Sequence, residues 1–186
     1  MPLSTRSTKI PVRELVIFAV LGTIMYISRI IMQGLPSIHV LGLFIASITL
    51  VYRTRALVPI YVYVMVEGTF AGFSFWWLPY TYIWLPLWLM FMLAGKFDLS
   101  KKVKVPLYMI LCGLHGLMFG TLYAPAQALM FGLSFEGMIA WIIAGLPFDI
   151  THGVSNFAMG ALIVPLSELL KKLDGNNRQA SPNMLS

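Results

Sequence analysis

Apolar residues occur in six long runs, near 10–32, 38–52, 56–73, 78–94, 105–131 and 147–171, separated by glycine, proline or charge. Their lengths predict helices, and a helix that crosses a bilayer needs about 20 predominantly apolar residues. The second run is short. Between the fifth and sixth, Gly132 to Leu146 is apolar but interrupted by Glu136, Gly137 and Gly145, and reads as a short covering helix or a lid over the outer face.

Composition sharpens this pattern into a class. Of the 186 residues, 59% are apolar and 11% charged, against roughly 25% charged in ordinary soluble domains. A water-soluble fold has no means of hiding so much apolar surface. The chain therefore reads as an all-α integral membrane protein: one six-helix transmembrane domain over 1–173, then a polar, disordered tail over 174–186. No room remains for a soluble catalytic domain. The basic segment Met1 to Pro11 leads into an apolar run too long for a signal-peptide core, so the first run reads as a retained span. The single cysteine, Cys112, excludes a disulfide framework or a thiolate metal cluster.

The net charge of +6 acquires meaning from its distribution. Arg6, Lys9 and Arg13 precede the first run, and Arg53 and Arg55 separate the second from the third. Lys96, Lys101, Lys102 and Lys104 separate the fourth from the fifth; Lys171, Lys172 and Arg178 follow the sixth. The connections near Gly34, Ser74 and Gly132 carry no Lys or Arg. Under the positive-inside rule, this alternation predicts six spans with both termini cytoplasmic. The basic excess is then a topology signal, which argues against nucleic-acid binding. Arg29, near the outer end of the first run, stands apart.

Polar side chains within spans are costly and usually face a cavity or one another. Besides Arg29 they are Gln33, His39, Glu67, His115, Gln127, Asp149, His152 and Asn156. On the predicted topology, nearly all fall in the outer half. Asp149, His152 and Asn156, at offsets of three and seven, share one helical face. Phe73, Phe75, Trp76, Trp77, Tyr80, Tyr82 and Trp84 put seven aromatics into twelve residues on the same side, with Tyr123 at similar depth. Aromatic walls with a few fixed polar groups are the usual make-up of a small-molecule site. Structural alternatives stand beside this reading: an interfacial aromatic belt, Arg29 reaching to headgroups, and Glu67 neutralised by Arg29 or His39. His115 and Asn156 can serve as interhelical glue, and Asp149 as a first-turn cap after Pro147.

Small residues four apart let helices approach closely. They recur as Ala19, Gly22 and Thr23, as Gly42 and Ala46, and as Gly116 and Gly120. The first set is a candidate face for a dissociable membrane partner. No phosphate loop, H-E-x-x-H or G-x-S-x-G occurs, and no ligand spacing supports a metal site.

Three blocks carry a family resemblance: Glu67-Gly68 with Gly72-Phe73; Trp76-Trp77-Leu78-Pro79-Tyr80-Thr81-Tyr82; and Gly145-Leu146-Pro147-Phe148-Asp149 with His152 and Asn156-Phe157. With the six-run layout, they resemble the substrate-binding S components of energy-coupling factor (ECF) transporters, the vitamin-uptake branch of the ABC transporters. The resemblance covers residues from about 10 to 173. It implies a bacterial cell-membrane subunit that captures a water-soluble vitamin on the outer face. Such a subunit docks on a transmembrane scaffold (T) protein joined to two ATPase (A) subunits. ATP and Mg would be used by those partners, with no cofactor in this chain. Family members dock partly through A-x-x-x-A in the first helix, which corresponds here to Ala19 to Thr23 with Thr in the second position.

The expected substrate-binding set is Arg29, His39, Glu67, Trp76, Trp77, Tyr80, Trp84, Tyr123, Gln127, Asp149, His152 and Asn156, and the expected docking set Ala19, Gly22 and Thr23. The aromatic density suits a flat heteroaromatic ring of the pyridoxine or hydroxymethylpyrimidine type, while the resemblance also admits cobalamin. Two rivals differ in what they predict. A self-sufficient facilitator or ion-coupled carrier would transport alone, with Glu67 and Asp149 as coupling carboxylates. An intramembrane enzyme would form product.

Overall fold

The computed structural model describes residues 10–179, with side chains through Gly175. Arg6, Lys9, the Arg178 side chain and residues 180–186 therefore lie outside the described residues. Within them every regular element is helical: α1 Val12–Ile31, α2 Leu41–Tyr52, α3 Leu57–Ala71, α4 Trp84–Ala94, α5 Lys101–Leu117, α6 Phe119–Phe131, α7 Phe135–Gly160 and α8 Ile163–Gln179. Short 3-10 turns cover Arg53–Ala56 and Phe75–Thr81. Five helical runs are long and apolar enough to cross a membrane: Val12–Ile31, Leu41–Ala71, Phe75–Ala94, Lys101–Phe131 and Phe135–Gly160.

The run Leu41–Ala71 is not one rod. At Arg53 the backbone takes φ 57°, a conformation costly for a side-chain-bearing residue, and the chain reverses there. The Arg53 side chain holds the reversal by donating from Nη2 to the Met92 carbonyl at 2.6 Å, while Trp88 Nε1 donates to the Arg53 carbonyl at 3.2 Å. Cross-contacts then give each direction. Glu14 meets Arg55, Gly22 meets Val62 and Arg29 meets Glu67, so α1 and α3 run parallel and pack directly on each other. Phe91 packs on Tyr108 and Trp84 on His115, so α4 opposes α5. Gly113 meets Phe157, Gly116 meets Gly153, and Gly120 meets Asp149, so α5 and α6 oppose α7.

These contacts define two ends. Arg55 with Glu14 (2.6 Å), Lys101 with Glu168 (2.6 Å) and Lys104 with Asp98 (3.4 Å) ring one of them. The core between the ends is built from Phe18, Met25, Ile45, Ile48, Tyr63, Ile83, Leu87 and Phe91, all fully buried. Outward, Ile139, Ile143, Ile150, Val154 and Phe157 leave α7 with an exposed apolar face, the composition that lipid accepts.

Three expectations about boundaries change. Pro147 does not start a helix; it lies inside α7, which begins twelve residues earlier at Phe135. The reason is Ser134, whose Oγ accepts from the Gly137 amide at 3.1 Å and caps the helix there. Residues 135–146 are thus the first turns of α7 and not a separate lid. At the other end, the run 147–171 divides at Ala161–Leu162 into α7 and α8, and α8 continues through Asp174 to Gln179, where the sequence had pointed to a tail. The run 105–131 starts earlier, at Lys101, and is interrupted at Met118.

Candidate functional site

α2 has 12 residues, which at 1.5 Å per residue is about 18 Å, well short of a hydrocarbon core of about 30 Å. The chain makes up the difference with irregular backbone over 32–40, where Ser37 takes φ 59°. Non-helical backbone at that depth is tolerated where it is buried in protein or lines a wet cavity. The structure has such a cavity, of about 570 Å³, at the end of the bundle opposite the lysines. One wall is this segment, from Met32 to His39; the others come from Arg29 on α1, Tyr80, α6 and α7.

Seven of the twelve expected binding residues line it: Arg29, His39, Tyr80, Tyr123, Gln127, Asp149 and His152. Each is fixed differently. The Tyr123 hydroxyl donates to the Trp76 carbonyl at 2.8 Å, and its ring stacks on Trp141 at 5.9 Å and 18°. His39 and His152 meet edge-on with ring centroids 4.4 Å apart, and Phe119 packs on His152 at 4.7 Å. His39 Nδ1 and His152 Nε2 are buried without hydrogen-bond partners. Gln127 joins the wall from α6.

Asp149 lines the cavity but does not cap its own helix. It sits well inside α7, where it has no first-turn amides of its own to cap. Its Oδ1 accepts from the Gly120 amide at 2.9 Å. The interruption at Met118 restarts the helix at Phe119 and frees the first amides of α6; Asp149 satisfies one of them from across the interface. Gly120 makes this possible, because a Cβ there would collide with the Asp149 carboxylate.

The other five expected residues lie outside the lining. Glu67 is fully buried behind Arg29, with Oε1 2.9 Å from the guanidinium, at an angle that makes an ion pair without a hydrogen bond. Trp77 donates from Nε1 to the Val64 carbonyl at 2.8 Å and packs against Phe73, folding the 3-10 turn onto the end of α3. Trp76 contributes its carbonyl, while its ring rests on Tyr80 at 5.7 Å. Trp84 is 2% exposed, enclosed by Tyr63, Tyr80, His115 and Phe119. Asn156 is buried beside Gly42, whose missing side chain gives it space. His115, read as an interhelical partner, sits 2.8 Å from the Ile83 carbonyl through Nε2; a carbonyl only accepts, so that nitrogen carries the hydrogen.

Trp141, Phe119 and Phe148 line the cavity and were not anticipated. Trp141, Gly145, Phe148, Asp149 and His152 share one face at helical spacing, a pattern visible once α7 is known to run through Pro147. On α1, Ala19 and Thr23 are exposed, whereas Gly22 is buried against Val62 and the Pro59 carbonyl. Gly22 therefore serves α1–α3 packing. Among the described residues no group of three or more His, Cys, Asp or Glu side chains is placed to hold a metal.

Comparison with known protein families, with curated proteins and with solved structures finds no match.

Proposed function

We propose that this chain is a six-span membrane subunit that binds a small water-soluble vitamin or precursor at the outer face, as the S components of ECF transporters do. The observation that carries the reading is the cavity: about 570 Å³, aromatic-walled, with a few convergent polar groups, and remote from the basic end of the bundle. That volume lies within the range typical of small-molecule sites and suits one- or two-ring solutes of the pyridoxine or hydroxymethylpyrimidine type. In this reading Ala19 and Thr23, exposed on α1, belong to the face presented to a scaffold subunit, and ATP is hydrolysed by partner subunits. Binding on one side of a membrane cannot by itself concentrate a solute, because a ligand shifts an equilibrium only by its differential affinity for the two states.

The test is mass spectrometry of small molecules retained by the purified protein, followed by uptake in proteoliposomes. The expected outcome is a stoichiometric heteroaromatic ligand, with uptake only when scaffold and ATPase subunits are co-reconstituted. Uptake by the chain alone would establish a self-sufficient carrier instead, and a retained product differing from the ligand supplied would establish an enzyme.

A further inference from the structure

At the basic end of the bundle a second, smaller cleft of about 140 Å³ opens between the start of α5, the middle of α8 and the connection that follows α4. Lys101 and Lys104, one turn apart on α5, and Lys171 on α8 line it, against a single lining carboxylate, Glu168. Lys101 and Glu168 are paired at 2.6 Å, but both side chains are largely exposed, and exposed pairs hold their partners weakly. Asp98, 3.4 Å from the Lys104 ammonium, stands fully exposed and outside the lining. Arg53 adds to the same sign: a Cβ on the lining residue Gly95 would collide with its Nη1. The cleft therefore carries a positive excess shared by two helices.

Its other walls say where the matching anion comes from. Leu50, Phe97 and Val164 line the cleft beside the lysines, and Phe97, Leu169 and Leu173 present exposed apolar side chains at the same end. Large apolar groups and lysine heads at one depth are the arrangement of a membrane interface, where lysine stems lie along apolar surface and their ammonium groups meet phosphates. The volume falls below the range of about 300–1,000 Å³ typical of metabolite sites, so a nucleotide has no room, whereas a headgroup phosphate can enter with its glycerol arm on the apolar wall. The Ser167 hydroxyl donates to the Val164 carbonyl at 2.8 Å, which leaves the lysines as the donors.

We propose that this cleft seats the phosphate of an anionic phospholipid between Lys101, Lys104 and Lys171, so that the lipid bridges α5 and α8. A net negative headgroup is selected, because the cation of a zwitterionic one would be brought against the lysines. The site lies at the opposite end from the outer cavity and does not rest on the receptor reading.

The experiment is native mass spectrometry of the full chain, delipidated in detergent and titrated with phosphatidylglycerol or with phosphatidylcholine of the same acyl chains. Phosphatidylglycerol should bind at least about fivefold tighter. Replacing both Lys104→Gln and Lys171→Gln should bring it down to the phosphatidylcholine level. Replacing both Lys102→Gln and Lys172→Gln removes the same charge at exposed positions outside the lining and should leave the preference intact. Lys171→Gln alone, at an exposed position that does not put folding at stake, should weaken phosphatidylglycerol by about fivefold. Inorganic phosphate and glycerol 3-phosphate at millimolar concentration should not displace the lipid. Equal binding of the two lipids, equal losses in the two double variants, full affinity in Lys171→Gln, or displacement by the soluble phosphates, which would mark a site for a free anion, would each overturn the proposal.

Discussion

At the scale of single residues, the tryptophans divide into two kinds that composition alone does not separate. Trp77 spends its indole N–H on the Val64 carbonyl and its ring on Phe73, so it fastens the 3-10 turn to α3. Trp141 stacks on Tyr123 and lines the cavity, so it meets whatever enters. We predict that Trp77→Ala lowers the unfolding temperature, with a cost approaching the about 3–5 kcal/mol seen for buried aromatic truncations, and weakens ligand binding only as far as it loosens the fold. Trp141→Ala should do the reverse, weakening binding by about tenfold or more, since stacked aromatic pairs carry large contact area, with little loss of stability. Scanning fluorimetry alongside calorimetry separates the two. The dense aromatic block at 73–84 was legible as belonging to one end of the molecule. Which of its rings face the cavity was not, because 3-10 geometry over Phe75–Thr81 breaks the periodicity from which facing is read.

At the scale of elements, the decisive feature is the seam between α5 and α7. A Cβ on Gly116 would lie 2.8 Å from the Gly153 Cα and from the His152 carbonyl, and one on Gly160 would lie 2.6 Å from the Met109 Cα. The two backbones are thus in contact, as small-residue interfaces in membranes permit. This seam accompanies an α7 that continues as one helix past Pro147, whose missing N–H removes one intrahelical bond. The expectation of a boundary there weighed the proline correctly as a local breaker and missed the long-range packing that overrides it. The same error hid Trp141, since a segment read as a covering lid contributes no face to a cavity beneath it. Pro147 is exposed, so Pro147→Ala tests the point cleanly. It should restore the lost bond to the Ile143 carbonyl, raising stability by up to about 3 kcal/mol, with ligand affinity unchanged. A marked change in ligand association or release rates would instead mark Pro147 as the hinge of a mobile lid.

At the scale of the whole molecule, charge placement and cavity placement are independent observations that agree on one axis. The described lysines and all described arginines but Arg29 gather at the end of the bundle where α1, α3 and α5 begin, and the cavity opens at the other. This much was legible from the alternation of basic and uncharged connections, because membrane insertion leaves its rule in the sequence. The same rule predicts an orientation that can be measured directly, with the protein's own cysteine no obstacle. Cys112 is fully buried and should stay silent to a membrane-impermeant maleimide. Gly34, beside the cavity in a connection with open space around it, and Ser100, exposed at the start of α5, then serve as opposite reporters. We predict that Gly34→Cys is labelled on intact cells and Ser100→Cys only after permeabilisation. The reverse pattern would turn the cavity toward the cytoplasm, where a vitamin receptor for uptake has nothing to capture. Labelling of both on intact cells would mean that α2, α3 and α4 do not make an odd number of crossings between them, and would overturn the six-span arrangement.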